Sequence, residues 1–202
     1  MTHYRLVLVT ALALAPATAG LAVAGAPTEQ LKPAVDRVIS ILSDPAMKGE
    51  AKTKQRRDAI RAVSNGVFDW AEMAKRALGR HWHGRTEAER GEFVELFRDF
   101  LERSYISMME RYSGENIVYV GDSIDGDQAA VRTKFITKEK QEVPIEYRMI
   151  RHDGRWLIYD VLVENVGLVS NYRTQFNQII QTSSYQELVR KMKTQELAKK
   201  AS

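Results

Sequence analysis

Residues 117–163 read IVYVGDSIDGDQAAVRTKFITKEKQEVPIEYRMIRHDGRWLIYDVLV, and here the apolar residues recur at every second position rather than every third or fourth. The pattern predicts four strands, over 117–124, 129–137, 143–150 and 155–163. They are separated by Asp125-Gly126-Asp127, the polar run 138–141 and Asp153-Gly154, which have turn composition. Connections this short join antiparallel neighbours, so the strands form a meander. In the third, Val143, Ile145, Tyr147 and Met149 alternate with Pro144, Glu146 and Arg148, giving one buried and one wet face. The fourth is apolar on both sides except at Asp160.

Before this stretch the period is helical. Thr86-Glu87-Ala88-Glu89 has the form of a capping box and opens a helix predicted over 87–112, stopped by Ser113-Gly114. Phe93, Leu96, Phe97, Phe100, Leu101, Tyr105, Met108, Met109 and Tyr112 give it a stripe wider than the ~100° a surface helix needs, so it is expected to lie against the sheet. Upstream, Leu31, Val35, Val38, Ile39 and Leu42 mark an amphipathic helix. A more polar helix spans 50–63 and ends at Asn65-Gly66, and a short one runs from an Asp69 N-cap through Leu78 to Gly79. Two more helices, 166–181 and 185–198, follow the strands. Helices, then four antiparallel strands, then helices give an α+β fold: a curved four-stranded antiparallel sheet packed against several helices.

The chain has 202 residues, no cysteine, and Lys+Arg 30 against Asp+Glu 26. Disulfides and thiolate metal sites are excluded. The first 24 residues hold 17 of its apolar residues and read as a secretory signal: Arg5, an apolar run from Leu6 to Ala15 broken only by Thr10, then Ala22-Val23-Ala24 for cleavage after Ala24. A membrane anchor fits less well, because Pro16, Thr18 and Gly20 interrupt the run and no basic stop-transfer cluster follows. The mature chain, 25–202, is then a single domain with 29 basic and 26 acidic residues, a net charge of +3. Basic and acidic residues are interleaved throughout, which argues against nucleic-acid binding.

Catalytic and metal motifs are sparse. His81-Trp82-His83 offers two ligands where a zinc site needs three or four. Asp122, Asp125 and Asp127 lack the spacing and closing Glu of a calcium loop. Neither a GxSxG nor a phosphate-cradling glycine loop occurs. Asp160 leaves two readings open. It is a general base with Tyr159 or Tyr147 in a cone-shaped α+β isomerase-like (NTF2-like) enzyme, or it pairs with Arg173 or caps nearby backbone. The apolar excess of Phe93, Phe97, Phe100, Phe135, Phe176, Met108, Met109 and Met149 fits a filled core, an acyl-chain cavity or a groove for a partner peptide; periodicity does not separate these.

Several segments together resemble the MlaC family, the periplasmic phospholipid-binding components of the Mla transport system, also called toluene-tolerance auxiliary proteins. The first is residues 68–82, FDWAEMAKRALGRHW, with Thr86, Arg90, Phe93, Phe97, Leu101 and Tyr105. The second is residues 154–161, GRWLIYDV, and the third residues 164–176, ENVGLVSNYRTQF, similar to the family's Trp-x-x-x-Asp-Val strand and Asn-Tyr-Arg-x-Gln-Phe helix. Glu164-Asn165-Val166-Gly167 departs from the family's usual Glu-Gly-Val-Ser and points to a subfamily, the hopanoid-associated relatives among them.

The resemblance implies a monomeric non-enzyme without cofactor, exported to the periplasm, with acyl chains enclosed in an apolar pocket between sheet and helices. It implies phospholipid, or a hopanoid, as cargo. The implied partners are an inner-membrane ABC transporter with an MCE component and an outer-membrane lipoprotein complex, in a pathway that maintains outer-membrane lipid asymmetry. For that cargo, facing assigns Phe97, Phe100, Leu101, Met108, Val131, Phe135, Ile145, Tyr147, Met149, Ile158 and Val169 to the lining. Asp160, Tyr172 and Arg173 are assigned to the headgroup or to structure.

Overall fold

The computed structural model describes residues 26–194, 196 and 197; the expected signal segment lies outside the described residues. The helices are α1 (Ala26–Ser43), α2 (Thr53–Val67), α3 (Trp70–Leu78), α4 (Glu87–Met109), α5 (Leu168–Thr182) and α6 (Tyr185–Lys193). The strands are β1 (Asn116–Asp125), β2 (Gln128–Ile136), β3 (Glu142–His152), β4 (Arg155–Val163) and β5 (Val166–Gly167). All strand pairs are antiparallel and the order is sequential, so the sheet is an open meander.

Local chemistry sets the boundaries. The capping box forms: the Thr86 hydroxyl accepts from the Glu89 amide and the Glu89 carboxylate accepts from the Thr86 amide, which fixes the start of α4. Asp69 accepts from the Glu72 amide at 2.8 Å and starts α3. At the β3–β4 turn Asp153 (φ 49°) and Gly154 (φ 78°) are both left-handed, as a two-residue hairpin twisted with its strands requires.

The sheet has five strands, not the four expected. Val166 and Gly167 pair with Val163 and Leu162, so α5 begins at Leu168. Farther along β4, the connection between α2 and α3 takes over that edge: Phe68 bridges Ile158, and the Asp69 amide donates to the Ile158 carbonyl at 2.8 Å. Backbone groups that a bare edge would offer to another chain are therefore used internally.

A bulge in β4 decides which residues face which layer. Met149 pairs with Ile158 and Arg148 with Asp160, so Tyr159 is the extra residue. Ile158 and Asp160, two apart, consequently lie on opposite faces. One face presents Ala129, Val131, Met149, Trp156 and Ile158, all buried together with Leu31 of α1. Two polar ties hold α1 there: Thr28 donates to Asp122 through its hydroxyl (2.8 Å) and its amide (3.1 Å), and the Trp156 amide donates to Gln30 Oε1 at 2.9 Å. On the other face, α3, α4, α5 and α6 form a second cluster that takes in Tyr159. A third small cluster, Ile41, Ile60 and Ile106, joins α1, α2 and α4.

Candidate functional site

The strand register carries the α1-side face beyond the residues that α1 covers. Ile117, Phe135 and Val143 form one cross-strand row; Tyr119, Thr133, Ile145 and Val163 form the next; Asp122, Val131, Tyr147 and Val161 form the third. Thr133 and Val131 are buried, while the other nine are only half-buried. A continuous apolar surface that is neither packed away nor fully open is the main candidate for ligand binding on the molecule.

Its polar content is the hydroxyls of Tyr119, Thr133 and Tyr147 and, in the row nearest α1, the Asp122 carboxylate that accepts from Thr28. The Tyr119 hydroxyl is buried and has no hydrogen-bond partner among the described residues. Burial pushes its phenol well above the ordinary tyrosine range, and the nearby Asp36 and Tyr147 push the same way. Burial likewise raises Tyr147, with the Thr133 side chain as its hydrogen-bonding partner. Both phenols therefore stay neutral across the physiological range. Apart from Asp122, which is engaged by Thr28, the rows carry no charged side chain: they present hydrocarbon with a few neutral donors, an arrangement suited to acyl chains.

The lining candidates fall into two groups. Val131, Met149, Ile158, Tyr147, Phe135 and Ile145 share the α1-side face. Phe97, Phe100, Leu101 and Val169 are buried in the helical cluster on the other side of the sheet. There Phe97 meets Tyr172 and Phe176 edge-on at 6.1 and 5.8 Å between ring centres. Met108 is 52 % exposed on the last turn of α4. Sequence reading missed Ile117, Tyr119, Val143, Val161 and Val163, although the alternation in β1 and β3 places Ile117, Tyr119 and Val143 in line with Phe135 and Ile145. Two cavities, of about 330 and 290 Å³, are lined largely by polar residues and lie away from this face.

Asp160 is buried, and its Oδ1 accepts from the Val161 amide at 2.9 Å and from the Val169 amide of α5 at 3.0 Å. The backbone-capping reading holds. The Arg173 pair does not form; the Arg173 side chain instead lies against Gly79 at the end of α3. Nor does a catalytic group assemble: Tyr147 is on the opposite face, and the Tyr159 hydroxyl donates to Gln128 at 3.2 Å. Tyr172 is buried with its hydroxyl 3.2 Å from that of Tyr105.

Burial holds the Asp160 carboxyl above the usual carboxylate range, against the two amides and the cations Arg148 and Arg76. The native state thus binds this proton more tightly than the unfolded chain. The stability it contributes is complete below the unfolded pKa and is lost as pH rises through the raised native one. Wild type should therefore gain stability relative to Asp160→Asn on going from pH 7 to about pH 4. Asp160→Ala, which strands both amides, should cost about 2–3 kcal/mol. Denaturant unfolding of the three proteins at both pH values checks both.

His81 Nε2–H donates to Asn177 Oδ1 (3.0 Å), His83 is exposed, and His152 approaches Asp69 at 3.1 Å. No cluster of three or more metal-ligating side chains occurs among the described residues, and no described helix is long and apolar enough to cross a membrane.

Against known proteins, the family model described as "MlaC protein" matches residues 32–194. The fold is also similar to a solved phospholipid-binding protein from Ralstonia solanacearum in complex with a phospholipid. The TM-score is 0.75 at 20% identity, covering 87% of this chain and 98% of that one. An α+β fold with an open antiparallel sheet, a largely apolar face beside α1 and a family match over most of its length lead to one assignment: the chain belongs to the MlaC family.

Proposed function

We propose that this protein is a periplasmic phospholipid carrier that moves lipid between an outer-membrane lipoprotein complex and an inner-membrane ABC transporter with an MCE component, and so maintains outer-membrane lipid asymmetry. The observation that carries the reading is the half-buried, largely apolar sheet face, supported by the family match and the lipid-bound Ralstonia solanacearum relative. Phe135, Ile145 and Tyr147 would line the acyl chains, with Ile117, Tyr119, Val143, Val161 and Val163 beside them. Phe97, Phe100, Leu101 and Val169 would back the site from the helical layer.

Energetics suit a carrier. Each methylene removed from water contributes about 0.8 kcal/mol, but a lipid drawn from a bilayer gives up a similar amount there, so net transfer sits near balance and both loading and release are accessible. The carrier acts as a monomer without cofactor or catalytic step, and 1–24 is its export signal. Expression with secretion should yield a mature chain beginning at Gly25, checked by intact mass. The function is tested with donor liposomes containing labelled phosphatidylethanolamine and unlabelled acceptors. Lipid transfer that rises linearly with protein and depends on Ile145 is expected; transfer no faster than the protein-free rate would overturn the reading.

A further inference from the structure

One cavity has no part in the acyl site. It measures about 330 Å³ and is lined by Leu78, Gly79, Arg80, His81, Arg173, Thr174 and Asn177, with no carboxylate among them. Arg80 and Arg173 form no ion pair or hydrogen bond with the described residues, whereas Arg56, Arg57, Arg61, Arg76, Arg85, Arg98 and Arg190 all pair with acids.

The backbone is shaped to bring these cations together. Gly79 ends α3 at φ 57°, ψ −132°, and a Cβ there would stand 3.2 Å from Arg173 Cδ. Only glycine combines that conformation with the close approach of the Arg173 stem. The C-terminal carbonyls of α3 favour positive charge nearby, which helps keep Arg80 and Arg173 at one site despite their mutual repulsion. Neutral polar groups complete the lining. Asn177 Nδ2 donates to Gln181 at 2.9 Å, which leaves Oδ1 to accept from Nε2–H of His81, and Thr174 adds a hydroxyl.

We propose that this cleft is a phosphoryl-binding site, with Arg80 and Arg173 as the charged contacts and the Thr174 hydroxyl as a hydrogen-bond donor. Forked guanidinium donors match phosphate oxygens better than any other side chain, and a phosphate dianion or a phosphodiester would offset the repulsion between the two cations. The inference is independent of the acyl site. A phosphoryl group can come from a lipid headgroup at a membrane surface or from a free phosphate in solution.

The two sources are separated by titrating the mature protein with inorganic phosphate in chloride buffer, followed by NMR at His81 and Asn177, and by sedimenting it with vesicles of phosphatidylglycerol or of phosphatidylcholine. Saturable phosphate shifts that weaken at least about tenfold in Arg80→Gln/Arg173→Gln, and persist in the surface control Arg111→Gln, are expected. If the double variant also loses sedimentation with either vesicle, the physiological ligand is a lipid headgroup; if vesicle binding is unchanged or absent, it is a free phosphate. Neither phosphate shifts nor vesicle binding dependent on the two arginines, or equal losses in Arg111→Gln, would overturn the proposal. Melting temperature within a degree or two of wild type confirms that the variants are folded.

Discussion

Ile145→Glu should leave a folded protein that retains less than a tenth of the wild-type phospholipid. Ile145 is half-buried in the middle row of the sheet face, between Thr133 and Val163. A carboxylate there would have to stay hydrated within the space hydrocarbon would occupy, or take up a proton, and either costs more than the 1.4 kcal/mol that tenfold represents. Because the side chain already reaches solvent without ligand, the fold itself should lose only about 1–2 kcal/mol. Val118→Glu is the control. Val118 lies in β1 on the other face and is already exposed, so that variant should bind lipid as wild type does. Lipid extraction and phosphorus assay per mole of folded protein give the comparison. A normal lipid content in Ile145→Glu would remove this face from the site.

Phe97→Ala should do the converse, lowering stability by about 3–5 kcal/mol with little change in lipid bound per folded molecule. Phe97 is fully buried in the helical cluster, 6.1 Å from Phe93 and in edge contact with Tyr172 and Phe176. Truncation leaves a void that these rings, themselves fully buried, have little freedom to fill. For a domain whose whole stability is about 5–15 kcal/mol, that is a large fraction, equivalent to a fall in Tm of roughly 10 °C or more. Unfolding must be followed on delipidated protein, since bound lipid would stabilise wild type by mass action. Phe97→Trp should likewise act by overpacking the helical cluster rather than by filling an acyl cavity. Together the two variants separate the core from the site.

Much of the fold was legible because its signals are local. Thr86 and Glu89 are a reciprocal cap in three residues of spacing, and Asp125-Gly126-Asp127 and Asp153-Gly154 punctuate a period-2 pattern. Two features of β4 and its neighbourhood were not. Alternation counts every second residue as the same face, so it cannot register the bulge at Tyr159, which puts Ile158 and Asp160 on opposite faces. Val166-Gly167 is too short to show any period, and it pairs only because the tight turn at Glu164 and Asn165, both at positive φ, folds it back on Val163. The site was half legible for a related reason. The stripe on α4 says that Phe97 and Phe100 are buried but not against what, and they pack on α5 rather than on the exposed part of the sheet. Ile145, Tyr147 and Phe135 could be grouped because alternation alone places them on one face, and the same reasoning extended to β1 reaches Ile117 and Tyr119.

The most direct test is native mass spectrometry of the mature wild-type chain, purified under gentle conditions after export. A phospholipid carrier should appear mainly as protein plus one or more lipid masses, released on activation as diacyl phospholipid and depleted in Ile145→Glu. A spectrum of folded protein with no bound lipid, unchanged after incubation with phospholipid vesicles, would contradict the carrier function.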